Sequence, residues 1–235
     1  MKTTFVPNRF RRTTTRRLRI LLAVSGVLLV GIPPLSADPV RETLDRGSFT
    51  PEEEQSLLVV FENARLNDVP VYFFLPRLQE GISKNVDARR LRRALETDLA
   101  GFVEARDVAR SVPGGDDLIA DDARWARAAT VLAAGRSPEE LEDLVAATVD
   151  VPERFRPAAA LYVSLAEWGL AEEDSLAIVR AAVGSPIPPE NYPGIAELFA
   201  VARRERVRPD RMAERIVEGL ASAHSLRTLR TLVVD

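Results

Sequence analysis

The chain has 235 residues, 46% of them apolar, no cysteine, one histidine and a formal net charge of −3. That apolar content supplies a sizeable core and excludes a disordered chain. The missing thiols exclude a disulfide framework and thiolate metal sites, and the lone His224 excludes a His-pair metal site.

The N-terminus differs in kind from the rest. Lys2, Arg9, Arg11, Arg12, Arg16, Arg17 and Arg19 form a basic region without an acidic residue, followed by 13 uncharged residues, Ile20–Ile32. Pro33-Pro34 then breaks the helix, and Leu35-Ser36-Ala37 ends in small residues. This order predicts a secretory signal peptide over 1–37, cleaved after Ala37. Thr15–Leu21, TRRLRIL, resembles a twin-arginine export signal, but Arg19 stands where that pattern wants an apolar residue, so the general secretory route is expected. The apolar run is shorter than the roughly 20 residues a spanning helix needs. Contact with a membrane is therefore expected only through this segment, if it stays uncleaved. Its removal leaves 25 basic against 35 acidic residues, a net charge of −10. A nucleic-acid partner calls for a basic face, so none is expected.

Residues 38–49, DPVRETLDRGSF, are polar and read as a flexible linker. From Thr50 onward the period is helical. Ala158, Leu161, Tyr162 and Leu165 fall at i, i+3, i+4 and i+7, as do Ile195, Leu198, Phe199 and Ala202, and each set makes one apolar stripe on a helix. Leu141, Leu144, Val145 and Val149 nearly repeat the pattern. No sustained alternation occurs after residue 50, so strands are not expected.

Two kinds of turn punctuate these helices. Helix starts with a cap followed by Pro or charged residues are predicted at Thr50, Asp87, Ser137, Ala171 and Arg208, spaced by 37, 50, 34 and 37 residues. An aliphatic-Pro pair falls between each two of them: Val69-Pro70, Val112-Pro113, Val151-Pro152 and Ile187-Pro188. A two-helix unit of 34–37 residues accounts for both series, with the longer interval holding an insertion around Pro113-Gly114-Gly115-Asp116-Asp117. The predicted fold is an all-α, antiparallel helix-hairpin array over 50–235, with 113–115 as a point of division into 50–112 and 116–235. It resembles α-solenoid arrays in general. It lacks the tetratricopeptide pattern, because Leu161–Leu170, LYVSLAEWGL, holds similar residue types in another order.

The segment GRSPEE at Gly135–Glu140 fits this punctuation better than it fits a site. Ser137 can cap the first-turn N–H groups, Pro138 wastes no donor at N1, and Glu140 can reach back to close a capping box. Gly135 stands where a left-handed residue ends the preceding helix.

The sequence holds no GxSxG, SxxK, HExxH, P-loop or GxGxxG motif. His224 has no neighbouring groups that would build a catalytic triad. Asp116, Asp117, Asp121 and Asp122 lack the spacing of a calcium loop, and Asp116 or Asp117 is expected to cap the helix that carries Trp125. Glu80 would be the best single carboxylate for glycoside chemistry, but Lys84 lies one turn on and suggests an exposed ion pair. Arg89, Arg90, Arg92 and Arg93 read as a solvated face, with acidic residues on the same helix. Trp125 and Trp168 are the two tryptophans and the candidate partner-binding residues, although both also fit a helical apolar stripe.

These features lead to the expectation of a periplasmic or secreted, non-catalytic helical scaffold of the bacterial cell envelope. It would need no metal or cofactor and would bind another envelope protein. The alternatives are a cell-wall glycan-acting enzyme with a carboxylate general acid, and a protein tethered by its N-terminal helix.

Overall fold

The computed structural model describes residues 38–234, and the expected signal peptide of 1–37 lies outside them. The described residues are all-helical: twelve α-helices, three short 3-10 turns and no strand. None of these helices is long and apolar enough to cross a membrane.

In chain order the helices are α1 Pro39–Leu44, α2 Pro51–Leu66, α3 Leu75–Ser83, α4 Ala88–Ser111, α5 Asp116–Ile119 and α6 Asp122–Ala133. They continue with α7 Pro138–Thr148, α8 Phe155–Glu167, α9 Glu172–Gly184, α10 Tyr192–Arg204, α11 Pro209–Leu220 and α12 Leu226–Val234. All five expected helix starts are N-caps, at Thr50, Asp87, Ser137, Ala171 and Arg208. Thr50 and Ser137 close full capping boxes with Glu53 and Glu140, and Asp87 accepts from the Arg90 N–H. Ala171 and Arg208 make no side-chain cap bond, in keeping with their chemistry.

The five capped helices also form one continuous row, in which α2 packs on α4, α4 on α7, α7 on α9 and α9 on α11. A second row runs from α6 to α8, α10 and α12, with α4 against its first member. Helices of the two rows pack on each other at α7–α8, α8–α9, α10–α11 and α11–α12. Three aliphatic-Pro pairs, Val69-Pro70, Val151-Pro152 and Ile187-Pro188, lead into 3-10 turns ahead of α3, α8 and α10. Proline fixes φ and cannot donate, which suits a chain entering a new helix through a tight turn. The apolar stripes are the core: Leu141, Leu144, Val145, Ala158, Tyr162, Leu165 and Ile195 are fully buried.

The left-handed residue expected at Gly135 is present, with φ +80°. The same device recurs at Asp68, Asn85, Gly169 and Arg206, each at positive φ and two residues before a turn proline or the next N-cap. In four of these turns the following N–H reaches back across the last helical turn, as in Val207 N–H to Ala202 C=O at 2.9 Å and Val86 N–H to Gly81 C=O at 2.9 Å. These are Schellman-type ends, which satisfy carbonyls the helix leaves unpaired.

Three expectations need correction. Residues 38–49 are not a bare linker: Asp38 caps α1, and Val40 and Leu44 are buried with the core. Six residues are too few for periodicity to reveal a helix that tertiary burial holds in place. The long interval between caps is not mainly an insertion at 113–117, because α4 itself runs 24 residues, against 11 to 16 for its row-mates. Nor do residues 113–115 divide the helical part, whose described residues form one compact unit. The Pro-Gly-Gly stretch is instead a tight turn, where a Cβ on Gly115 would lie 1.9 Å from the Ala109 carbonyl oxygen.

Candidate functional site

The two tryptophans part company. Trp125 lies on α6 and is 6% exposed. Its indole N–H donates to the Phe102 carbonyl at 2.9 Å. Its ring meets Phe73 and Phe102 edge-on at centroid distances of 5.5 and 6.4 Å, and Phe73 stacks on Phe102 at 4.8 Å. Phe74 and Phe61 extend this cluster toward α2. A buried, hydrogen-bonded indole leaves no face for a partner, so the partner-binding expectation for Trp125 gives way to a core role. Helical spacing could not separate the two, since a stripe looks the same whether it faces a core or a groove.

Trp168 follows the last residue of α8 and is half-buried. It stands in an open groove of about 430 Å³ where the ends of α8 and α10 meet the start of α11. Val207 and Pro209 supply the remaining apolar wall, and Phe199 and Ala202 of α10, both buried, lie beneath it. Arg203, Arg206 and Arg208 line it as well, with Glu167 the single acidic member. Arg208 is engaged with Asp210, its Nε at 3.0 Å from Oδ1, and that bond holds the Asp210 carboxyl below its usual range. Among the described residues Arg203 and Arg206 form no ion pair, and both are exposed. An apolar wall with a few polar groups at its edge is the usual make-up of a binding site.

A wider cavity of about 820 Å³ lies between the first turns of α2 and α4. Arg89, Arg90, Arg92 and Arg93 line it together with Glu52, Glu53 and Asp87, so its charges offset one another, and Ala88 is its only apolar side chain. Glu80 is exposed and bonded to Lys84 at 2.5 Å, and this bond lowers its carboxyl pKa, the reverse of what a general acid needs. Among the described residues the carboxyl held above its usual range is Asp174, raised by burial first and then by Glu173, Asp210 and Glu214. It borders a groove of about 280 Å³ between α9 and α11, with Glu214 and Glu218. Three of the four Asp residues of 116–122 serve the fold. Asp121, not Asp116 or Asp117, caps α6 by accepting from the Arg124 N–H at 2.8 Å, and Asp122 accepts from the Tyr72 hydroxyl. Asp116 opens the short α5 and pairs with Arg110 at 3.4 Å.

A buried polar cluster escaped the sequence reading. Glu140, only 5% exposed, accepts from the Ser137 N–H at 2.6 Å, from Arg136 at 2.8 Å and from the Tyr162 hydroxyl of α8. The Arg136 guanidinium lies 4.8 Å from the centre of the Tyr162 ring. Burial pushes the Glu140 carboxyl up, but the bonds from Tyr162, Ser137 and Arg136 outweigh it and leave the group below its ordinary value. Burial, and then the bond to Glu140 and its charge, push the Tyr162 phenol well up. Every partner is satisfied, so this is a joint between α7 and α8.

Comparisons with protein families, with curated proteins and with solved structures found no match.

Proposed function

We propose that this chain is an exported, non-catalytic helical scaffold of the bacterial cell envelope that binds a partner protein in the Trp168 groove. In this reading the two rows of helices are a short array of solenoid type, and residues 1–37 are the signal that exports it. The observation that carries the proposal is the half-buried Trp168 beside Val207 and Pro209 in a groove open to solvent. A tryptophan in such a place offers a large apolar face to a partner, and tryptophans are enriched among residues that dominate binding energy. Helical arrays are also built to present such surfaces between repeats.

Crosslinking followed by pull-down from the native envelope tests this. The full chain should recover a specific protein, and Trp168→Ala should lose it while keeping its helical circular dichroism. Recovery of no specific protein, together with binding to purified peptidoglycan, would favour the glycan reading. The observation on that side is Asp174, whose raised carboxyl borders the α9–α11 groove with Glu214 and Glu218. Its distinguishing test is loss of peptidoglycan hydrolysis in Asp174→Asn. The mass of the mature N-terminus tests export: a chain beginning at Asp38 supports cleavage, and one beginning at Met1 supports tethering.

A further inference from the structure

We infer that the Trp168 groove takes an acidic segment of its partner, with an apolar side chain against Trp168 and Val207 and flanking carboxylates on Arg203 and Arg206. This rests on the reading of the groove as a partner site and adds the chemistry of the occupant. The first observation is charge. Residues 38–235 carry a net charge of −10, yet two guanidinium groups with no ion pair among the described residues stand at the edge of this groove against one carboxylate, Glu167. The planar guanidinium fork matches a carboxylate and can bind it through two parallel hydrogen bonds.

The second observation is where the fold accepts a poor sequence. Among the described residues six turns place a residue in the left-handed region, and five use Asp68, Asn85, Gly114, Gly135 and Gly169. Glycine, asparagine and aspartate are the residue types that adopt this conformation with least strain. The sixth uses Arg206, at φ +56°. Among the described residues the turn's remaining task falls to Arg208, an N-cap without a side-chain cap bond. The one turn that breaks the local rule at its left-handed position, and again at its cap, is the turn at the groove's edge. Local consistency is given up where a site needs a particular side chain. Glycine at 206 would serve the turn better and would remove one of these two guanidinium groups.

Fluorescence titration of the full chain tests the inference, since Trp168 is at the groove and Trp125 is buried away from it. The probes are a short peptide with a central leucine flanked by glutamates and its counterpart with lysines in place of the glutamates. The glutamate peptide should bind at least about tenfold more tightly, a difference of about 1.4 kcal/mol. That preference should shrink as salt is raised, because attraction at an exposed edge is screened. Arg206→Gly should bind the glutamate peptide several-fold more weakly and yet melt at a higher temperature, a pair of changes that a purely structural role does not produce. Arg203→Ala should weaken binding in the same direction. Equal binding of the two peptides, or unchanged binding in Arg206→Gly, overturns the inference. In the envelope pull-down, a partner lost by Trp168→Ala but kept by the Arg203→Ala, Arg206→Gly double variant leaves the groove reading standing and overturns the acidic segment. A concentration-dependent dimer abolished by Trp168→Ala makes the occupant a second copy of the chain and also overturns it.

Discussion

Gly135 shows how a single residue serves the fold through its backbone alone. Its φ is +80°, and a Cβ added there would meet nothing within 4 Å. Gly135→Ala should therefore cost about 1–2 kcal/mol from backbone strain, with no steric contribution, read as a lower urea midpoint at unchanged slope. Glu140 is the opposite case, a residue whose cap role was legible and whose tertiary role was not. The spacing of Ser137 and Glu140 is local, so the capping box could be read directly from the sequence. The bond from Tyr162 spans 22 residues and two helices, and no spacing rule encodes it. Tyr162→Phe should cost about 1–3 kcal/mol, because it leaves a buried carboxylate short of a donor. The pH dependence follows from the lowered Glu140 pKa. A carboxyl depressed in the folded state contributes its full stability above the unfolded value of about 4.3 and loses it as pH falls through the folded value. The stability gap between the native chain and Glu140→Gln should hold near neutrality and narrow below about pH 4, measured by denaturant titration at several pH values.

Among the elements, the five capped helices were legible in register because capping is chemistry of adjacent residues. Ala171 and Arg208 were legible only through spacing, since neither offers a cap, and the helices begin there all the same. Packing of Leu176, Ile178 and Val179, all buried, holds α9 in place without help from its cap. Ala171→Ser should then supply a missing acceptor to the first turn and raise stability by about 1 kcal/mol, while Ser137→Ala should lower it by a similar amount. Paired thermal melts of the two variants check both signs. Helix α1 was missed for the reason that makes α9 secure: its place is set by burial of Val40 and Leu44, not by any signal within its six residues. The recurring left-handed residue two positions ahead of the next cap is a signal that could have been found. Asn85-Val86, Gly135-Arg136 and Gly169-Leu170 all precede a cap by the same step.

For the molecule as a whole, the period of the caps specified a row of helices, because α2, α4, α7, α9 and α11 are neighbours in that order. The sequence could not show that α4 would be long enough to meet both rows, nor that Phe73, Phe74, Phe102 and Trp125 would close the region where a domain boundary was expected. With that boundary closed, Trp125→Ala should cost about 3–5 kcal/mol and leave partner binding intact in whatever fraction stays folded. Trp168→Ala should do the reverse, with a small effect on stability and loss of the partner. The groove was half legible: Trp168 stood out as one of two tryptophans, whereas Arg203 and Arg206 were lost among many arginines until the fold placed them beside it. Site-specific photocrosslinking in the native envelope tests the partner groove most directly. A photoreactive side chain at position 168 should give one discrete adduct, and the same group at Leu66, 81% exposed on α2, should give none. Equal labelling from both positions, or labelling from Leu66 alone, would contradict the assignment of the partner to this groove.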